Sequence, residues 1–177
     1  MSTGTRIIPE RIIDWRAYKG GKDLLGSVDV ELPKVQYMAE AIKGAGIAGE
    51  LETPTTGQVK SLKTKITFRT NDGNMVGLLD CAGHDLEFRA AIQEYDAAGG
   101  KREITSHRIV VRGFPTEGDF GKLEKGGAGG SSIELELIYF KYEIAGNTIL
   151  EIDKLNYKCV INGTDTLSSV REALGLI

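Results

Sequence analysis

The sequence predicts a mainly β protein, an antiparallel β-barrel or sandwich made from a strongly curved sheet, with one or two short helices and long loops. Three observations carry this. Apolar and polar residues alternate with period two between Ser61 and Thr70 and again from Leu86 to Gln93, the spacing that puts one face of a strand in a core and the other in water. Clusters suited to tight turns, Asn71-Asp72-Gly73-Asn74 and Ala97-Ala98-Gly99-Gly100, punctuate the runs. Twenty-three glycines in 177 residues also suit a chain of many turns.

From the N-terminus, Arg6 to Tyr18 and Asp23 to Leu32 read as two strands around Lys19-Gly20-Gly21-Lys22. Pro33 closes the second, because proline cannot donate to a ladder. Lys34 to Lys43 reads as a short helix. Residues 44–57 hold four glycines and Pro54 in fourteen positions and read as a loop that needs a neighbour to hold one shape. In the next strand Leu62, Thr64, Ile66 and Phe68 share one face, and Lys63, Lys65, Thr67 and Arg69 the other. Met75 to Ala82 reads as a short amphipathic helix stopped by Gly83. Leu86, Phe88, Ala90 and Ile92 then face one way from a second clean strand, and Ile104 to Arg112 returns with Thr105, His107, Ile109 and Val111 on one side.

Residues 113–131 form the loosest stretch, nineteen residues with seven glycines, one proline and five charges. Without apolar periodicity such a segment buries too little to offset the entropy of ordering, so it reads as a mobile loop that folds against another subunit. Residues 132–163 then read as a long hairpin of two strands of about 13 residues around Ala145-Gly146-Asn147, reaching roughly 40 Å at about 3.3 Å per residue. That exceeds what one small subunit covers. The apolar phase changes in both strands, from Ile133, Leu135 and Leu137 to Ile138, Phe140, Tyr142 and Ile144, and from Leu150 and Ile152 to Leu155, Tyr157, Cys159 and Ile161. Bulges, or a hairpin that leaves one packed surface for another, would account for it. A short Leu/Val/Ala helix ends at Gly175.

The hairpin is also where the chain resembles a known family. Tyr139-Phe140-Lys141-Tyr142-Glu143-Ile144-Ala145-Gly146-Asn147, then Glu151-Ile152-Asp153-Lys154-Leu155-Asn156 and Ile161-Asn162-Gly163-Thr164-Asp165, resemble the end of the major tail tube protein of contractile-tailed bacteriophages. Val28-Asp29-Val30-Glu31-Leu32-Pro33-Lys34, Gly44-Ala45-Gly46-Ile47-Ala48-Gly49 and Pro54 resemble that family's N-terminal part. The resemblance implies one tail-tube domain over 1–177, in subunits that close into hexameric rings and stack into a tube. It implies a ring-forming fold in which each copy adds strands to a continuous barrel around a lumen. The implied partners are further copies of the chain, the tail sheath protein, the tape-measure protein, and the baseplate and tail terminator proteins. DNA would pass through the lumen without specific binding. The implied location is the virion tail, with assembly in the host cytoplasm.

Composition agrees with a structural role. The net charge of −3 and pI near 5.5 disfavour a surface that grips phosphates, which needs clustered Lys and Arg. No run approaches the roughly 18 apolar residues of a membrane span, so no membrane anchor is expected. The two cysteines, Cys81 in a helical segment and Cys159 in a strand, read as free, buried small hydrophobes.

Residues that could carry chemistry are few. Asp80-Cys81-Ala82-Gly83-His84-Asp85 brings together a nucleophile, an imidazole and carboxylates, but Gly83 separates Cys81 from His84. The stretch reads as a buried cysteine with a polar helix end whose histidine favours the dipole. Cys81, His84, His107 and Cys159 are too dispersed for the paired spacing of a structural zinc site. Gly126-Gly127-Ala128-Gly129-Gly130 precedes a strand, so it lacks the helix N-terminus of a phosphate loop. Asn162-Gly163-Thr164 reads as a turn. Lys60, Lys63, Lys65 and Arg69 form a basic stripe for an acidic partner, the next ring or the sheath, or else a solvated strand face. No catalytic, cofactor-binding or metal-binding residue is predicted, and no enzyme activity. Two other functions fit parts of the pattern: the tube of a tail-derived bacteriocin or injection system, and a monomeric ligand-binding β-barrel, which the over-long hairpin suits poorly.

Overall fold

The computed structural model describes residues 6–21, 23–24, 26 and 28–176. Its frame is an antiparallel sheet built around β9 (Ser131–Ile144), which pairs along one edge with β8 (Lys101–Asp119). β7 (His84–Asp96) pairs with β8, and β1 (Ile7–Lys19) with β7. The other edge of β9 is shared. Residues 131–136 pair with β6 (Lys63–Phe68), which carries β3 (Val28–Glu31), and residues 139–144 pair with β10 (Asn147–Asp153), followed by β11 (Lys158–Ile161) and β12 (Thr164–Asp165). The sheet therefore forks at β9.

The alternation read in the sequence decides which side of the fork is dry. Leu62, Thr64, Ile66 and Phe68 all point inward, against Ile133, Leu135 and Leu137 of β9 and Leu86, Phe88 and Val111 of β7 and β8. Each fully buried aliphatic of this kind contributes about 1.5–3 kcal/mol. α1 (Gly73–Gly77) lays Met75 into the same core, with Leu78 at its C-cap, and is started by Asp72, whose carboxylate accepts from the Met75 amide at 2.8 Å. The core closes at Phe140, Ile152, Cys159 and Leu167, ahead of α2 (Ser168–Ala173) and the left-handed Gly175 that terminates it.

Several expectations are corrected. The second N-terminal strand is split. β2 (Asp23–Leu24) stays on β1, whereas β3 crosses to β6 after Gly26, at φ +88°. Lys22, Leu25 and Ser27, expected in that hairpin, lie outside the described residues. Residues 34–43 are not a helix. Tyr37–Ile42 form β4, paired with β5 (Leu51–Val59) in a separate two-stranded sheet, so residues 44–57 are a short turn plus most of a strand. A ten-residue helix is marginal alone, and pairing with the threonine-rich β5 overrides the helix-forming Met38, Ala39, Glu40 and Ala41. The α1 helix stops at Gly77, short of Ala82.

The predicted mobile loop over 113–131 is strand as far as Asp119, and the loop is residues 120–130. Its glycines suggest looseness in the sequence, yet Gly113 and Gly118, in the part that is strand, mark close packing. A Cβ on Gly113 would lie 2.3 Å from the Glu136 carbonyl oxygen, and one on Gly118 would lie 2.4 Å from Leu79 Cδ2. Cross-strand pairing then orders residues that carry no periodicity. The long hairpin is accordingly β8–β9 and not residues 132–163, because the return strand β10 is only seven residues. Asp153 ends it by accepting from the Leu155 and Asn156 amides at 3.1 and 3.0 Å, and Tyr157 turns at φ +49° so that β11 folds back on β10. The phase change in β9 is a bulge: Arg112 and Gly113 oppose Tyr139 and Leu137, leaving Ile138 as the extra residue.

Candidate assembly surfaces

The clusters weighed for chemistry are dispersed by the fold. Cys81 is exposed rather than buried and lies beyond the helix, whereas Cys159 is buried as expected. His84 is not near a helix end but opens β7, buried, with ring Nε2 donating to the Asp80 carbonyl at 2.9 Å. His107 meets the Tyr142 hydroxyl through Nδ1 at 2.6 Å, on another part of the sheet. Among the described residues no three His, Cys, Asp or Glu side chains converge on a metal position. Asn162 and Gly163 form a turn with φ of +47° and +82°. In the basic stripe, Lys63 is paired with Glu134 at 2.6 Å, and Lys65 is exposed.

The face of β7, β8 and β9 turned away from the core carries paired charges. Arg108 holds both Glu87 oxygens, Nε at 2.8 Å and Nη2 at 3.0 Å, and its Nη1 reaches Glu143 at 3.1 Å. Arg89 also binds Glu87, and Lys141 binds Glu143 at 2.6 Å. The Arg108 hydrogen bonds outweigh burial and hold the Glu87 carboxyl down at about 2. Hydrogen bonds from Lys141 and then Arg108 likewise lower Glu143. Burial, reinforced by the Glu151 carboxylate that accepts from its hydroxyl at 3.0 Å, pushes Tyr139 up to about 12. Arg112 pairs with Asp85, and Lys158 with Glu151 at 2.9 Å. A face whose cations are bound to its own carboxylates offers few free charges to a polyanion. Sequence reading missed this network, although the register of alternating Glu, Arg and Lys along three neighbouring strands was its signal.

Two further surfaces are apolar and open. Beyond the contact with β2 at Tyr18 and Lys19, the outer edge of β1 pairs with no described strand, and Ile8, Ile12 and Ile13 are exposed along it. The β4–β5 arm exposes Tyr37, Met38, Ile42, Ile47 and Leu51. Only its base is tied down, where Gly57, at φ +64°, leaves room for Leu167; a Cβ there would meet Leu167 at 2.4 Å. An isolated two-stranded hairpin is at best marginally stable in water. Unpaired edges and exposed apolar ribbons are what a subunit keeps for another copy.

A family model described as phage tail tube protein FII matches residues 9–175. The chain belongs to that family. The resemblance read from the two ends of the sequence is thereby borne out, and the family is a structural one. The chain is 27% identical over 151 residues to the tail tube protein of Escherichia phage P2, a match that covers 83% of this chain and 86% of that protein. It also shares its fold with a sheath/tube terminator of an extracellular contractile injection system, PVC, solved by cryo-EM in the extended state. That likeness has a TM-score of 0.53 at 12% identity and covers 77% of this chain and 97% of the other.

Proposed function

We propose that the chain is the repeating subunit of a contractile phage tail tube, a single tail-tube domain over 1–177 whose copies close into hexameric rings and stack around a lumen. What supports this within the family is a subunit that leaves open, among the described residues, what a monomer would cover: the β1 edge before Tyr18 and the β4–β5 arm beyond its base. The edge suits ring closure by strand addition, and the arm, projecting from the main sheet, suits contact with the next ring. The paired-charge face of β7–β9 then lines the lumen, where DNA slides past without being held and the tape-measure protein is housed. The outer surface meets the sheath, and the tube's ends meet the baseplate and terminator. The virion tail is the location, after assembly in the host cytoplasm. The likeness to the injection-system terminator favours a second reading, the tube of an injection system or tail-derived bacteriocin; capsid genes beside the tube gene separate the two.

Electron microscopy of the concentrated protein with a baseplate template tests the first reading and is expected to show rings and tubes. Monomers that persist under those conditions would overturn it. Because Met38 and Leu51 are about half exposed, at 48% and 53%, Met38→Asp with Leu51→Asp should keep the circular dichroism of the subunit and abolish stacking. Amide exchange over Tyr37–Val59 should be fast in the free subunit and slow in the tube. Equal exchange in both states would remove the arm from the interface.

A further inference from the structure

Loop 120–130 is held in shape and yet spends its two large apolar side chains on solvent. The Lys122 amide donates to the Gly129 carbonyl at 2.9 Å, the Gly129 amide to the Arg69 carbonyl at 2.9 Å, and Asn71 Nδ2 to the Phe120 carbonyl at 3.1 Å. Gly121, at φ +66°, passes so close to Gly129 that a Cβ would fall 2.1 Å from its carbonyl oxygen. On this closed loop Phe120 is 54% exposed and Leu123 fully so; beside them Lys122 is paired with Glu124 at 2.6 Å, whereas Lys125 is in no ion pair among the described residues.

The far end of the same strand ribbon holds an open apolar site. An apolar hollow of about 160 Å³ is lined by Ile12, Trp15, Leu32, Phe88, Ile92 and Ile109 among others, and Leu32 and Ile12 at its mouth are 48% and 63% exposed. One pleat beyond Ile92, on that face, Glu94 stands directly opposite Glu103 in the β7–β8 register. Like charges in that position destabilise a sheet. Neither carboxylate is in an ion pair among the described residues, and Glu94 accepts only from Thr105, at 2.5 Å. A cation from outside the chain would relieve the pair.

We propose that loop 120–130 of one copy docks into this hollow on the next, with Leu123 and Phe120 entering between Leu32 and Ile12 and Lys125 reaching Glu94 and Glu103. Ile109 and Phe120 are eleven residues apart on and just past β8, about 35 Å of strand at 3.3 Å per residue. No copy can fill its own hollow. A knob at one end and a socket at the other make a head-to-tail contact that repeats without closing, which is the geometry of a filament. The occupant is therefore a second copy of this chain, and the contact lies between successive rings. This rests on the tube reading.

The test uses rings assembled separately from Leu123→Glu and Leu32→Glu chains. Leu123 touches nothing that the fold needs, and each variant should form rings with the wild-type circular dichroism but no tubes. Mixed together, they should give stacks of two rings that stop there, because an intact knob from one meets an intact socket in the other and no further pair remains. Sedimentation and electron microscopy read the stack length. Tubes from either variant alone, or single rings persisting in the mixture, would overturn the proposal while leaving the tube reading intact. Wild-type protein that forms no rings even on a baseplate template would instead sink the tube reading itself. Glu103→Lys, at an exposed strand position, supplies a second socket variant should Leu32→Glu fail to fold, and joining it with Lys125→Glu should restore growth that each change alone removes. Failure of that restoration would also count against the contact.

Discussion

Replacing Glu87 with alanine is expected to cost the folded subunit about 3 kcal/mol. The Glu87 side chain is 7% exposed and lies between Arg89 and Arg108, which face each other directly across β7 and β8. Removing the carboxylate leaves two like charges opposed on neighbouring strands. Losing one partner of a fully buried pair costs up to about 5 kcal/mol; the value here is lower because Arg108 keeps 46% of its side chain in water. The same group gives the subunit an acid limit. Its carboxyl is held down from 4.5 to about 2 by Arg108, so its contribution is fully present above pH 4.5 and fades as the pH falls towards 2. A shift of that size amounts to roughly 3 kcal/mol at neutral pH. Glu143 and Asp165, lowered chiefly by Lys141 and Arg171, act in the same direction. Urea unfolding at pH 7 and pH 3 should show a steep loss for the wild type and a smaller one for Glu87→Gln. Parallel losses in the two proteins would show that this network does not set the acid limit.

Gly113→Ala should be nearly as damaging, for a reason unrelated to turns. The added carbon would overlap the Glu136 carbonyl at 2.3 Å and press on Leu137 Cδ2 at 3.0 Å. The obstacle is backbone, so β8 and β9 must part at the bulge that seats Leu137 in the core. Overpacking of this kind costs about 1–3 kcal/mol or more, a fall in Tm of roughly 2–4 °C per kcal/mol for a chain of this size. Gly83→Ala is the control. No atom lies within 4 Å of its would-be Cβ and its φ is outside the left-handed region, so the melting temperature should hold or rise slightly. Equal melting temperatures for the two variants would show that the β8–β9 ribbon yields without cost. The damage should extend to assembly, since that ribbon carries loop 120–130 at one end and a wall of the apolar hollow at the other.

What local sequence determined by itself is clearest where one face of an element is buried. Alternation alone assigns Leu62, Thr64, Ile66 and Phe68 inward, and Leu86 and Phe88 with them, because a period of two across a wet and a dry face leaves a strand no other register. The turn at Ala97–Gly100, the small C-terminal helix and the family landmarks at both ends are legible for the same reason, being short-range patterns. Tertiary pairing decided the remainder. Residues 37–42 have a helix-former's composition and became a strand because β5 offered a ladder. Residues 113–119, slack by composition, became strand because β9 lay beside them, and there glycine marks close approach instead of freedom. The single long return strand became two because Asp153 bonds the amides of a turn that periodicity does not register. Most of the assembly surface belongs to this second class. Glu87 meets Arg108 across 21 residues of sequence, Glu94 faces Glu103 across a hairpin, and the knob and its socket sit at opposite ends of one ribbon. Such juxtapositions depend on strand register over long separations, and only the folded sheet, through the pairing of whole strands, selects that register.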